Sequence, residues 1–233
     1  MKYDYLKDNY DYLISDIKGI CLKNDRKFEE IKLVAVSKTF SAEEILEVHK
    51  LGHLDFGENK VQELKTKHDE LCNEKINWHL IGHLQTNKVK YIVDFVSLIH
   101  SVDSLKLALE INKCAEKINR KIDILVQVNT SNETQKSGIE DYETTILCHE
   151  ISKLKYINLI GLMTIGMFTD EENIIRENFS QLKNLYDELK NSFDDFKYLS
   201  MGMTSDYRIA LEEGANMLRI GSAIFGNRNY LKI

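Results

Sequence analysis

Proline is absent from this 233-residue chain, so glycine, present 11 times, carries nearly all of its turns and helix ends. Cysteine is scarce. Cys21, Cys72, Cys114 and Cys148 lie far apart and form no C-x-x-C pair, which excludes a disulfide framework and a zinc site of the usual spacing. An excess of positive charge is also missing: 31 Lys and Arg against 37 Asp and Glu give a formal net charge of −6. A non-specific nucleic-acid binder is thereby excluded, while a local basic pocket for a small phosphate is not. No apolar run reaches membrane-spanning length, and the opening MKYDYLKDNYDYLISDIKGICLKN is too charged for a signal peptide, so a cytoplasmic chain is expected. No low-complexity tract or Ser/Gly linker marks a boundary, which predicts one domain over residues 1–233.

What is present is alternation. Short β-rich apolar runs occur at 32–37, 54–56, 77–81, 95–100, 123–129, 158–165, 197–202 and 216–221, separated by longer amphipathic stretches such as SLKLALEINKCAEKIN. Most of these runs are continuous rather than strictly alternating, as strands buried on both faces of a parallel sheet are. Ser41 with Glu44, and Thr169 with Glu172, have capping-box spacing at two helix starts. Gly52 and Gly214 follow helical patterns where a left-handed residue closes the helix. Eight βα units in this length predict a (β/α)8 barrel of the α/β class, preceded by an extra helix over residues 2–23.

In such a barrel the active site lies at the C-terminal strand ends, and the unusual residues collect there. Lys38 follows the first strand, Asn59 the second, and His79 lies in the third with His83 just beyond. The seventh strand leads into SMGMTSD with Ser200, Gly202, Thr204 and Ser205, and the eighth carries Arg219 into RIGSAIFG with Gly221 and Ser222. Loops after strands seven and eight are where barrels hold phosphate, through backbone N–H groups and hydroxyls. A lysine across the barrel mouth from such a cup has the parts needed for an aldehyde cofactor bearing a phosphate, pyridoxal 5′-phosphate (PLP). Arg219 beside the pyridine nitrogen could donate a hydrogen bond but not a proton, leaving the ring a weak electron sink.

The blocks AVSKT, DFGENKVQE, WHLIGHLQTNK, HSVDS, QVNTSNETQKSG, GLMTI, LSMGMTSDY and MLRIGSAIFG, in order over roughly 33–226, resemble the pyridoxal phosphate homeostasis proteins, relatives of the barrel domain of alanine racemase. The resemblance implies a single-domain barrel that holds PLP on Lys38 as a Schiff base and serves vitamin B6 balance without strong catalysis. It implies Arg219 at the pyridine nitrogen, Ser200, Gly202, Thr204, Gly221 and Ser222 at the phosphate, and Asn59 and His79 lining the ring pocket. The chain departs from the family pattern at Asn132 and Gln135, in a loop otherwise carrying glycine and serine, and Thr204 stands where serine is usual.

Other readings stay open at this point. Lys38 alone could be a strand-end lysine reaching to solvent, and Arg219 could pair with a carboxylate such as Glu58. Charged stretches such as ENKVQELKTKHDELCNEK read as solvated outer faces. His79 and His83, four apart on a strand leading into a loop, do not share a face as metal ligands on a helix would. Rival functions are a single-domain PLP-dependent racemase and a cofactor-free Schiff-base aldolase. With the sequence ending soon after the eighth strand, the second domain that supplies a racemase's opposed base is not expected, which favours the carrier over the racemase. Expected partners are PLP and, through it, client PLP enzymes, with no nucleic acid, no membrane and a monomeric state.

Overall fold

The protein is represented by a computed structural model that describes residues 3–131 and 137–227. Residue 2 of the expected first helix, Asn132 and Gln135 lie outside the described residues. Among the described residues nine strands form: β1 (Lys32–Val36), β2 (Asp55–Glu58), β3 (Asn77–Leu80), β4 (Leu98–Val102), β5 (Ile122–Asn129), β6 (Ile139–Glu140), β7 (Ile157–Met163), β8 (Tyr198–Ser200) and β9 (Met217–Ile220). All pair in parallel, in the order β4-β3-β2-β1-β9-β8-β7-β5, and β4 pairs with β5 to close the ring. Eight strands therefore make a barrel, while the two-residue β6 adds to the end of β5 outside it. Sequence patterning gave no sign of β6, because two residues carry no periodicity.

The helices are α1 (Asp4–Lys23), α2 (Ala42–Lys50), α3 (Val61–Glu70), α4 (Leu105–Lys117), α5 (Asp141–Ser152), α6 (Glu172–Leu189), α7 (Tyr207–Glu212) and α8 (Ser222–Phe225). Their apolar stripes pack on the outside of the sheet and build the main core, into which α1 sends Leu6, Leu13, Ile17 and Cys21. A second, smaller cluster lies inside the barrel: Val34, Leu98, Leu125, Ile160, Met163 and Met217. The inner layer explains why the strands read as continuous apolar runs.

Local signals differ from the expectation in three places. Ser41 and Glu44 form the capping box at the start of α2, but Thr169 does not cap α6. That helix starts at Glu172 after Glu171, and the Thr169 hydroxyl instead accepts from the Glu171 N–H at 3.2 Å. Between β3 and β4 the connection is a 3-10 turn, Thr86–Tyr91, in place of an α-helix. The fourth strand runs over Leu98–Val102 rather than 95–100, because Phe95 and Val96 close that turn through N–H bonds to Ile92. Gly52 and Gly214 take φ of +90° and +93° just after α2 and α7, closing them as expected.

Candidate functional site

The end of β1 is held by three groups that converge on the backbone around Lys38. The Ser37 carbonyl accepts from the Phe40 N–H at 3.0 Å, making a four-residue turn with Lys38 and Thr39 at its centre. Thr39 takes φ +72°, which a β-branched residue resists and which a type II turn requires at its third position. The turn is clamped from outside the barrel by α3. Lys67 donates to the Ser37 carbonyl (2.8 Å), Glu58 Oε1 (2.7 Å) and Glu63 Oε1 (2.7 Å), using all three ammonium hydrogens. Glu63 in turn accepts from the Thr39 N–H, and the Ser37 hydroxyl donates to Glu58 at 2.6 Å. Lys67 is 6% exposed, so this helix does not present a wholly solvated charged face, contrary to the sequence reading. Its ammonium is buried because the turn carbonyl and two carboxylates replace its water.

Arg219 pairs in register with Val34 of β1, four residues before Lys38, and its side chain lies in the barrel interior. It is buried, and its Nη1 donates to the Ser200 hydroxyl (2.7 Å) and its Nη2 to the Thr164 carbonyl (2.8 Å). No carboxylate hydrogen-bonds it among the described residues. Glu58, the partner considered from sequence, lies on the outward face of β2 with Lys67. Burial lowers the guanidinium to about 10, against the opposing charge of Asp206, so it stays cationic at neutral pH. No hydrogen bond engages its Nε–H among the described residues.

The loops after β8 and β9 meet at this end of the barrel. The Arg219 N–H donates to the Gly202 carbonyl at 3.0 Å, and the Thr204 hydroxyl accepts from the Ala223 N–H at 3.3 Å. Gly202 has φ +95°, and a Cβ there would lie 2.6 Å from the Ala210 Cβ, so α7 can pack under this loop only against glycine. Gly221 precedes α8 and lies against the end of β1, where an added Cβ would meet the Val36 carbonyl at 3.2 Å. The phosphate-loop candidates Gly221 and Ser222 thus border the strand that carries Lys38.

Of the expected site residues, Lys38, Asn59, Gly202, Thr204, Gly221 and Ser222 lie at or beyond the C-terminal ends of their strands. The Asn59 backbone is pressed against Gly82, where a Cβ would stand 2.4 Å from the Asn59 carbonyl oxygen. Ser200 occupies the interior instead, its hydroxyl committed to Arg219. His79 is also interior: Nε2 lies 2.9 Å from Asp55 Oδ1 and Nδ1 2.9 Å from Nε2 of His100. His83 diverges from it, with its side chain 58% exposed near Asp103. His100 and Thr164 lie within the blocks HSVDS and GLMTI but were given no role from sequence, and Lys67 lies in a stretch read as solvated. For His100 the available signal was parity, since it stands two positions along β4 from inward-facing Leu98.

Residues 23–229 match the family of alanine racemase N-terminal domains. The pyridoxal phosphate homeostasis protein of Helicobacter pylori strain 26695 is 44% identical over 197 residues, 84% of this chain and 87% of that protein. Its namesake in Aquifex aeolicus is 39% identical over 219 residues, 94% of this chain and 96% of that one.

This chain belongs to the pyridoxal phosphate homeostasis protein family. Among solved members, PipY of Synechococcus elongatus, in a structure with PLP bound, superimposes with a TM-score of 0.78 at 31% identity, covering 91% of this chain and all of that one. The family's barrel and the closed eight-stranded parallel sheet found here are the same architecture.

Proposed function

We propose that this chain is a PLP carrier of the homeostasis family, bonded to the cofactor's aldehyde carbon through Lys38 Nζ. PLP supplies, when bound, an electrophilic carbonyl and a conjugated ring that withdraws electrons. The donor set fits it. Arg219 has both terminal nitrogens tied to neutral acceptors, leaving Nε–H as the donor suited to a pyridine lone pair. Gly202 and Gly221 bring backbone close to a phosphate, with the Thr204 and Ser222 hydroxyls beside them, and Asn59 borders the ring. Ser200, expected at the phosphate, and His79, expected in the ring pocket, are read here as acting from beneath, through Arg219.

The observation that carries this reading is that two neutral oxygens hold Arg219 and no carboxylate hydrogen-bonds it among the described residues. A guanidinium facing the ring nitrogen cannot give up a proton at physiological pH, so the ring holds charge poorly and suits storage better than carbanion chemistry. Residues 1–233 are read as one PLP-binding domain. Free thiols at all four cysteines suit a reducing cytoplasm, and no helix among the described residues is long and apolar enough to cross a membrane. We read the chain as a monomer that gives and takes PLP with client enzymes.

Incubation with L-amino acids in deuterated water tests the carrier reading. The expected result is α-hydrogen exchange far below enzymatic turnover; rapid exchange would make the chain an α-proton-abstracting enzyme.

A further inference from the structure

Buried side chains run along the barrel axis from Arg219 to the opposite mouth. Ser200 Oγ lies 3.4 Å from His100 Nδ1, His100 Nε2 lies 2.9 Å from His79 Nδ1, and His79 Nε2 lies 2.9 Å from Asp55 Oδ1. Asp55 also receives Lys32 Nζ at 2.9 Å and Asn77 Nδ2 at 3.3 Å. His79 and His100 are 2% and 0% exposed. Two imidazoles in a barrel interior are costly unless hydrogen-bonded, and apolar side chains would fill the same space.

The order of hydrogens in this row follows from its ends. Asp55 is an acceptor only, so His79 Nε2 carries a hydrogen. Burial disfavours the charged form of both histidines, which lowers His79 despite Asp55 and lowers His100 further. His79 Nδ1 is then an acceptor, and His100 Nε2 must donate to it. His100 Nδ1 is left to accept the Ser200 hydroxyl hydrogen, and Ser200 Oγ accepts from Arg219 Nη1. Every donor points from Arg219 towards Asp55. Reversing any member would set two hydrogens or two lone pairs face to face.

The other charged groups nearby do not break this order. Asp123 and Lys197 border the same N-terminal mouth, and Asp123 accepts from Asn158 at 3.0 Å. Asp206 acts on Arg219 through its charge from the loop side.

We propose that His100 and His79 are positioning residues: they transmit the Asp55 charge along the barrel axis and lock the Arg219 guanidinium, so that its Nε–H is held for the cofactor ring nitrogen. The ligand in this inference rests on the proposed PLP reading; the donor order rests on the chain alone.

Histidine-selective nitrogen NMR of the full chain without cofactor tests the order directly, with His79→Gln and His100→Gln assigning the signals. Both imidazoles should be neutral Nε2–H tautomers from about pH 6 to about pH 8. An imidazolium or an Nδ1–H tautomer at either position overturns the proposal. Positioning is tested by His100→Phe, which should raise hydrogen exchange at Arg219 Nε–H and weaken PLP binding, each roughly tenfold. His100→Gln, whose amide both donates and accepts, should stay within about threefold of wild type. Equal behaviour of the two variants overturns the positioning role. If wild type fails to bind PLP, the proposed function falls, while the tautomers and the arginine exchange still decide this inference.

Discussion

Arg219 donates to the Ser200 hydroxyl at 2.7 Å, and its second terminal nitrogen to the Thr164 carbonyl at 2.8 Å, so two neutral oxygens fix a buried cation. On the proposed reading the guanidinium supports the cofactor ring and Lys38 captures it. Arg219→Ala should therefore lower PLP affinity by roughly ten- to a hundredfold, the range of one charge-assisted hydrogen bond. Covalent attachment at Lys38 should persist. Titration followed in the visible band checks this, and wild-type affinity in the variant would mean that the arginine does not touch the ring.

Lys67 secures the turn that presents Lys38. Lys67→Met strands the Glu58 and Glu63 carboxylates and the Ser37 carbonyl, and loss of one partner of a buried pair typically costs about 3–5 kcal/mol. Denaturant unfolding should show that loss. Capture of added PLP should also slow by roughly tenfold, because positioning of the nucleophile is lost with the turn. Unchanged capture kinetics in folded variant would show that α3 does not set Lys38.

Glu58 gives a pH signature. Burial pushes its carboxyl up to about 7, against the pull of Lys67 and Ser37, and its Oε2 is buried without a hydrogen-bond partner among the described residues. A carboxyl whose folded pKa is raised binds its proton more tightly when folded. The folded state is favoured below the ordinary value of 4.5 and loses that advantage as pH rises from there through about 7. Glu58→Gln should remove this decline. Melting temperatures of both proteins across the window will differ in slope, and parallel curves would contradict the assignment.

Gly202 is required by the packing of α7 beneath the loop proposed to hold phosphate. Gly202→Ala demands φ +95° of an L-residue and sets its Cβ 2.6 Å from that of Ala210. The cost should be about 1–3 kcal/mol. Affinity for PLP should fall with it as the loop shifts. A variant with unaltered melting temperature and affinity would show that the loop tolerates the change.

Much of the barrel was legible because its strands are buried on both faces and its helices on one. KLVAV and DILVQVN read as parallel strands for that reason, and the Ser41–Glu44 box marked α2 through local chemistry alone. Thr169 had the same spacing but α6 began two residues later than a Thr169 cap would place it, so spacing without chain direction misled. At the site, Lys38 and Arg219 stood out as charges in apolar strands. Lys67 did not, because a buried lysine in a charged helix looks like its solvated neighbours until the Ser37 turn is folded against it. Ser200 was assigned to the phosphate by its loop, whereas its inward position in β8 turns the hydroxyl to Arg219. His100 was hidden for the opposite reason: only closing the barrel brings β4 opposite β8.

If Lys38 holds PLP covalently, purified protein should show a visible absorption band that vanishes on borohydride reduction, with the reduced cofactor recovered on the peptide containing Lys38 and no such band in Lys38→Ala. Colourless wild-type protein that stays colourless after added PLP, or label recovered on another lysine, would contradict it.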